Sequence, residues 1–277
     1  DIIRDILRGL TAPPRRISSM FFYDTAGSRL FEKITRLPEY YLTRTEKTLL
    51  AQAADSLCPN LRDTDIVEIG SGNCVKISIL LRALRSDNLQ TIRYLPVDVS
   101  RSALEAAVAD LQREFPQLEM EAVVADITRQ MDLIPRNNTR LFCFFGSTLG
   151  NLTARAATGF MKALGKIMYP GEILLLGLDM VKDRSILEEA YNDRRGVTAA
   201  FNRNILRVVN RLAETDFDPG GFDHLAFYNP RQARIEMHLR ARRDVEVCTP
   251  HLAEKIRIRK SETIHTEHSH KFTLRRI

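Results

Sequence analysis

The chain has 277 residues, 44% of them hydrophobic and 27% charged, which is typical of a folded globular protein. No run approaches the roughly 20 apolar residues of a membrane-spanning helix, and the first residues lack the pattern of a signal peptide. The four cysteines are scattered, without a CxxC pair. The formal net charge is +6, but no basic run is interleaved with aromatic residues. We therefore expect a cytoplasmic monomer that binds neither a membrane nor a nucleic acid.

The first segment, residues 1–55, is expected to be a helical part of a substrate-binding domain. Residues 1–10 match the start of an amphipathic helix, whereas residues 11–45 are predicted to be irregular. Thr43 is predicted to cap a following helix, because Glu46 stands at the capping-box spacing from it.

The second segment, residues 56–182, alternates between strand-like and helix-like patterns. Apolar runs such as residues 141–145 are unbroken, as in strands that are buried on both faces of a parallel sheet. We predict a Rossmann-like α/β domain with a doubly wound, mainly parallel sheet. Its predicted strands are 65–69, 91–97, 120–125, 140–146 and 172–178, and its predicted helices are 75–85, 101–114 and 155–168.

The third segment, residues 183–272, is expected to be an α+β insertion that completes the substrate-binding domain. A helical stretch over 183–213 is broken near Gly196, and two alternating segments follow over 232–247 and 255–272. Alternation divides the first of these between two faces, with Ile235, Met237 and Leu239 on one and Glu236, His238 and Arg240 on the other. Residues 273–277 are expected to begin a further helix.

A glycine loop, Gly70-Ser71-Gly72, follows the first predicted strand of the α/β domain. A dinucleotide fingerprint needs a third glycine where this chain has Val75, and a phosphate-binding P-loop is missing from the sequence. Asp98 and Asp126 end the next two strands, where carboxylates can bind ribose hydroxyls and an adenine amino group. These strand ends predict S-adenosylmethionine, which has no pyrophosphate. The structural alternatives are a tight turn at the glycines and helix caps at the two aspartates.

Several motifs follow one another along nearly the whole chain. The most specific are Leu37-Pro38-Glu39-Tyr40-Tyr41 and Gly150-Asn151-Leu152. The others include Phe22-Tyr23-Asp24, Glu68-Ile69-Gly70-Ser71-Gly72, Pro96-Val97-Asp98, Ala190-Tyr191-Asn192-Asp193, Ile235-Glu236-Met237 and Thr266-Glu267-His268-Ser269-His270. In this order they resemble the histidine Nα-methyltransferases of ergothioneine biosynthesis, which convert L-histidine to its trimethylated betaine, hercynine.

The resemblance implies a class I methyltransferase fold, S-adenosyl-L-methionine as cofactor and L-histidine as substrate. The implied cofactor-binding residues are Tyr23, Gly70, Gly72, Lys76, Asp98 and Asp126. The implied substrate-binding residues are Tyr40, Asn151, Tyr191, Met237, Glu267 and Ser269. Asn151 and Tyr191 would hold the amino-acid head group and the rest would face the imidazole, while Tyr23, Asn151 and Tyr191 are the implied catalytic residues. Family members usually continue with a helix and two strands, including a Trp-x-Asp segment, that this sequence does not contain.

The residue types suit a histidine pocket. An imidazole offers two ring nitrogens, so a carboxylate and a hydroxyl match it, and Glu267 and Ser269 point the same way on a strand because they are two apart. Each residue also has a structural alternative. Tyr40 can be a core aromatic, Asn151 a helix cap, Met237 a gap-filler and the Glu267–Ser269 pair an exposed strand face.

Histidines near the end of the chain suggest a second chemistry. In a regular strand His268 and His270 share one face, and His265 and Glu267 share the other. Two histidines can ligate zinc, but a complete site needs further ligands, and the remaining histidines lie in other segments, namely His224, His238 and His251. We expect no metal.

The expected reaction is the stepwise trimethylation of the α-amino group of L-histidine. The amine must lose a proton before it attacks, and we expect that proton to leave to solvent or through Tyr23 and nearby water. The alternatives are an N-methyltransferase acting on another aromatic or imidazole amino acid and a ligand-binding relative without turnover.

Overall fold

The computed structural model describes residues 2–277 except 73, 100, 128, 129 and 276. It consists of two compact units, which we call the split unit (Asp1–Thr43 with Asp179–Ile277) and the central unit (Arg44–Leu178). The divisions expected from the sequence stood at 55/56 and 182/183. None of the described helices has the length and apolar character needed to cross a membrane.

Helices and strands alternate in the central unit and are grouped in the split unit. The helices are α1 (Ile2–Thr11), α2 (Thr25–Ile34), α3 (Tyr41–Leu57), α4 (Ile77–Ala83), α5 (Ser86–Leu89), α6 (Arg101–Glu114), α7 (Ala154–Ile167), α8 (Arg184–Glu189) and α9 (Val197–Ala213). The strands are β1 (Thr64–Ile69), β2 (Ile92–Asp98), β3 (Glu119–Met120), β4 (Val123–Val124), β5 (Thr139–Phe144), β6 (Ile173–Leu176), β7 (Phe222–Asn229), β8 (Arg234–Ala241), β9 (Val245–Val247), β10 (Ile256–Ile258) and β11 (Thr263–His270).

The central unit is built on a parallel sheet. Its order is β3-β2-β1-β5-β6, with β4 also paired to β2, and every pairing is parallel. The chain adds strands on one side of β1 and then, from β5 onwards, on the other side. The switch point between β1 and β5 is where ligand crevices form at the carboxyl ends of such sheets. The predicted doubly wound parallel sheet is confirmed, although the predicted strand 120–125 is interrupted and forms β3 and β4.

The split unit contains a three-stranded antiparallel sheet in the order β11-β8-β7. One face of β8 is buried in the core, since Ile235 and Leu239 are fully buried and Met237 is almost so. We call this the core face. The opposite face carries Glu236 and His238, and we call it the histidine face.

Three local predictions of secondary structure, two near the start of the chain and one at its end, were wrong. Residues 25–34 form α2 within the stretch predicted to be irregular. Helix α3 already begins at Tyr41, so Thr43 lies inside it and does not cap it. In the stretch 273–277, expected to begin a helix, residues 274 and 275 form a turn, and residue 276 lies outside the described residues.

Candidate active site

A β-bulge in β11 decides which of its side chains face the core. His265 pairs with His238 of β8, yet Glu267 pairs with Met237, so Thr266 is an extra residue in the ladder. Because of this insertion Glu267 leaves the face of His265 and joins the core face. The expectation that His265 and Glu267 share one face was therefore wrong.

The extra residue is held by buried hydrogen bonds. The Thr266 hydroxyl donates to Asn202 Oδ1 at 2.7 Å, and it lies 3.1 Å from the carbonyl oxygen of Met237. Asn202 also donates from Nδ2 to the carbonyl oxygen of His238 at 2.9 Å. Thr266 and Asn202 are both buried, so these bonds satisfy polar groups that water does not reach. The bulge is thus tied to helix α9.

Glu267 and Ser269 share the core face, and a lysine that the sequence analysis missed lies beside them. Lys271 is 0% exposed at its side chain, and its ammonium donates to Ser269 Oγ at 3.0 Å and to the Tyr191 hydroxyl at 3.3 Å. It also forms an ion pair with Asp179 at 2.8 Å. Lys271 continues the two-residue spacing of Glu267 and Ser269, and this was the signal that could have identified it.

Asp179 anchors this lysine. Its Oδ2 accepts a hydrogen bond from the Tyr41 hydroxyl at 2.7 Å, and Lys182 donates to Oδ1. Burial alone would raise the pKa of Asp179, but Lys271 and the bonds from Lys182 and Tyr41 outweigh it and lower that pKa. Asp179 therefore stays ionised and compensates the buried ammonium.

Burial raises the pKa of Glu267 to about 7, and the nearby charge of Lys271 opposes that rise. Glu267 as a whole residue is 9% exposed. At neutral pH it is close to half ionised, so a partner that carries a proton or a positive charge would favour the carboxylate.

Two tyrosines of the split unit, Tyr23 and Tyr191, lie near this carboxyl group, and Tyr40 packs against Tyr191. The rings of Tyr40 and Tyr191 are both buried and meet edge to face, with centroids 6.1 Å apart. Tyr23 is 49% exposed as a residue. Its pKa is raised by the surrounding protein and then by Glu267, Tyr40 and Tyr191, so its phenol is protonated at neutral pH. Tyr40 is thus a core aromatic that also neighbours the candidate substrate residues.

In the central unit, the glycine loop has the backbone that a cofactor cradle requires. Gly70 and Gly72 have φ values of +66° and +55°, and no described heavy atom lies within 4 Å of the position that a Cβ would occupy at either residue. The Gly72 N–H donates to Asp98 Oδ2 at 3.3 Å. The loop therefore has open space above it and a carboxylate at its edge, which fits S-adenosylmethionine.

Lys76 and Glu46 form a polar pair next to this loop. Lys76 Nζ lies 2.7 Å from Glu46 Oε2, and Glu46 Oε1 accepts the Gly146 N–H at 2.6 Å. The capping-box role predicted for Glu46 was wrong, because the residue bridges α3 to the loop after β5.

Asp126 and Asn151 follow strands that flank β1 and β2. Asp126 lies two residues after β4, which pairs with the end of β2, and it is half-buried. Asn151 ends the turn after β5. It does not cap α7, because Thr153 accepts the Ala156 N–H at 3.2 Å in that position. The helix-cap alternative for Asn151 is therefore excluded.

The chain is similar to known proteins over its whole length. The family model described as histidine-specific methyltransferase, SAM-dependent, matches residues 2–277. The histidine N-alpha-methyltransferase of Mycobacterium tuberculosis (strain CDC 1551 / Oshkosh) is 46% identical over 238 residues, which is 86% of this chain and 74% of that protein. The protein of the same name from Mycolicibacterium smegmatis is 44% identical over 270 residues, which is 97% of this chain and 84% of that one.

More distant similarities extend to fungi and to solved structures. Ergothioneine biosynthesis protein 1 of Neurospora crassa is 32% identical over 244 residues, covering 81% of this chain and 28% of that longer protein. A solved S-adenosylmethionine-dependent methyltransferase from Clostridium acetobutylicum ATCC 824 aligns with a TM-score of 0.45 at 11% identity, over 85% of this chain and 79% of that one. The family assignment does not depend on that weak likeness. The resemblance and the cofactor expected from the sequence are confirmed, and the chain belongs to the family of histidine-specific, S-adenosylmethionine-dependent methyltransferases.

Proposed function

We propose that this protein transfers three methyl groups from S-adenosylmethionine to the α-amino nitrogen of L-histidine and so forms hercynine, the first step of ergothioneine biosynthesis. The observation that carries the proposal is the pair Glu267 and Ser269 on the core face, with Lys271 donating to Ser269. A buried carboxyl group and a buried hydroxyl match the two nitrogens of an imidazole ring.

The cofactor would be held by the central unit, through the glycine loop, Lys76, Asp98 and Asp126. When bound, it supplies an electrophilic methyl group on a sulfonium that is already a good leaving group. The backbone N–H groups of the loop and the carboxylate of Asp98 can orient it without chemistry of their own. Methyl transfer is an in-line displacement, so alignment and the exclusion of water are the main contributions of the protein.

The imidazole would be recognised by Glu267 and Ser269. An ionised Glu267 accepts one ring N–H, and the Ser269 hydroxyl bonds the other nitrogen, as donor or acceptor according to the tautomer. Lys271 donates to the Ser269 oxygen, and Tyr191 also hydrogen-bonds the Ser269 hydroxyl, so both residues hold this hydroxyl in position beside Glu267. Met237, opposite Glu267 in the sheet, would contact its apolar edge, and Tyr40 its face.

The amino-acid head group would be bound by Asn151 and Tyr191, which offer an amide N–H and a phenol as hydrogen-bond donors to its carboxylate. Tyr23 is protonated at neutral pH, so it cannot act as a strong base. It can relay a proton by accepting one from the amine while it donates its own to water. The proposed route for the amine proton is therefore Tyr23 and solvent.

Mass spectrometry of products tests the reaction. The purified protein is incubated with S-adenosylmethionine and each of the twenty amino acids in turn. Mono-, di- and trimethylhistidine should appear in that order. A product that stops at monomethylhistidine, or faster methylation of another amino acid, would overturn the proposal.

Replacement of Glu267 tests the recognition of the ring. Glu267→Ala should reduce binding and turnover of histidine far more than those of tryptophan, because the buried carboxyl group is matched to the polar imidazole, whereas the larger indole is mostly apolar. Glu254→Ala, at an exposed position of the same unit, is the matched control. Equal losses for the two amino acids would contradict the assignment of Glu267.

A further inference from the structure

The histidine face of the split unit carries a cluster of metal-binding side chains that the methyl transfer does not use. We propose that Glu236, His238 and His265 form a site for a divalent transition-metal cation, with zinc as its best match. This inference is independent of the proposed reaction.

The three residues come together because of strand pairing. Glu236 and His238 are two apart on β8 and therefore share a face, and His265 stands opposite His238 on β11. Their candidate ligand atoms all lie within 4.8 Å of one another, and His238 Nε2 is 3.1 Å from Glu236 Oε2. Ligand atoms around one tetrahedral zinc lie about 3.4 Å apart, from bonds of about 2.1 Å. The ligand atoms would therefore have to approach one another by up to about 1.4 Å (4.8 minus 3.4) for one ion to bind all three.

Two nitrogens in the cluster are buried without a partner. His238 Nδ1 and His265 Nε2 have no hydrogen-bond partner among the described residues. Buried nitrogens of this kind are rare in native proteins, and a bound cation or water is the usual explanation. Rings enclose the site, since Phe227 stacks on His238 at 5.5 Å and His268 stacks on His265 at 5.6 Å.

Arg234 is a cationic group in direct contact with Glu236, two positions earlier on the same strand. Its guanidinium lies 2.8 Å from Glu236 Oε1, which also accepts from Asn229 at 2.9 Å. Both contacts are to Oε1, whereas Oε2 faces His238. The carboxylate thus has one oxygen fixed by hydrogen-bond donors and one directed at the histidines, which is how outer partners orient metal ligands.

The ligand types select the ion. Two imidazoles and one carboxylate suit zinc and its neighbours in the transition series, whereas calcium and magnesium prefer sets made only of oxygen. A bound ion would cross-link β8 to β11 at the residue before the bulge. Glu267 lies immediately beyond that bulge on the other face, so the ion would stiffen the strand that carries it.

Zinc binding to the chelator-treated protein tests the site. Competition with a chromophoric chelator should give one equivalent of bound zinc, and cobalt in its place should show the visible bands of a low-coordinate nitrogen and oxygen site. His238→Gln and His265→Gln should each lower the affinity for zinc by at least about tenfold, since even the loss of a residue that only orients a ligand lowers metal affinity 10- to 100-fold. His251→Gln, at a histidine that pairs with Glu214, is the matched control and should bind as the unmodified protein does.

A second measurement needs no variant and covers the case in which one fails to fold. Zinc should slow amide hydrogen exchange in β8 and β11 of the unmodified protein while the exchange of the central unit stays the same. Absence of stoichiometric binding, unchanged affinity in folded His238→Gln and His265→Gln proteins, or uniform protection of both units would overturn the proposal. Histidine and cofactor binding by the metal-free protein report on the proposed reaction separately.

Discussion

Lys271 donates a hydrogen bond to Ser269 from a fully buried position, at 3.0 Å, and it takes its counter-charge from Asp179. In the proposed histidine pocket the lysine would therefore act on the substrate through Ser269. We expect Lys271→Met to lower the affinity for histidine by about 10- to 100-fold, because a hydrogen bond to a charged group contributes roughly 1.5–3 kcal/mol. Calorimetric titration should show an unchanged affinity for S-adenosylmethionine.

The same substitution leaves Asp179 without one of its cations, which can destabilise the fold by about 3–5 kcal/mol. The double change Asp179→Asn with Lys271→Met removes that charge and should restore stability without restoring histidine affinity. Lys255→Met, at an exposed lysine, is the control. Full histidine affinity in a folded Lys271→Met protein would contradict the role of the lysine.

Glu267 should make the stability of the protein depend on pH. Its pKa rises from 4.5 to about 7 on folding, so its contribution to stability is fully present below pH 4.5 and is lost as the pH rises to about 7. Glu267→Gln removes this loss. The free energy of unfolding of the variant, relative to the unmodified protein, should therefore be larger at pH 8 than at pH 4.5, by up to about 3 kcal/mol at 1.36 kcal/mol per pKa unit.

Urea denaturation without substrate, at several pH values between 4 and 8, measures this difference. Glu254→Gln, at an exposed position, is the matched control. If the difference in unfolding free energy between the variant and the unmodified protein stayed constant with pH, or shrank above pH 7, folding would not raise the pKa of Glu267.

Thr266→Val tests the bulge. Valine keeps the shape of threonine but cannot donate to Asn202, which leaves a buried amide oxygen unsatisfied at a cost of about 1–3 kcal/mol. We expect lower stability and weaker histidine binding, because the direction of Glu267 depends on the bulge. Thr263→Val, at the start of the same strand, is the control. Unchanged histidine affinity would mean that the hydroxyl is dispensable for aiming Glu267.

Gly72→Ala tests the cofactor loop. The residue has a φ of +55°, where an alanine is strained by roughly 1–2 kcal/mol, and its methyl group would enter the open space above the loop. The affinity for S-adenosylmethionine should fall by about tenfold or more. Gly165→Ala is the matched control, since Gly165 lies within α7 with open space around it, and alanine there should stabilise the helix by about 0.5–1 kcal/mol. Equal cofactor affinities in the two variants would exclude the loop from the site.

The parallel sheet could be predicted because its strands are continuous apolar runs, such as β5, and because Gly70 and Asp98 mark the strand ends. Helix α2 was missed because its apolar residues are few and Gly27 lies within it. That glycine is required, since a Cβ would stand 1.7 Å from the carbonyl oxygen of Phe22. The two residues are only five positions apart, but the close approach of their backbones is not visible in the pattern of residue types.

Two features of the candidate site could not be predicted because they depend on contacts between residues that are far apart in the sequence. Thr266 has no glycine or proline beside it that would mark a bulge, so the orientation of Glu267 followed only from the register with β8. Lys271 resembled an ordinary surface lysine, and its burial depends on Asp179, ninety-two positions earlier in the chain (271 minus 179).

The insertion at Thr266 divides β11 into two frames of alternation. Before it, an odd-numbered residue such as His265 points to the histidine face, whereas after it odd-numbered residues such as Glu267 point to the core. Within three consecutive positions the strand therefore presents the imidazole of His265 on the histidine face and the carboxyl group of Glu267 on the core face. If the strand instead continued in regular alternation through Thr266, Glu267 would share the face of His265, so the orientation of Glu267 in the proposed pocket depends on a bulge residue that need not touch the substrate.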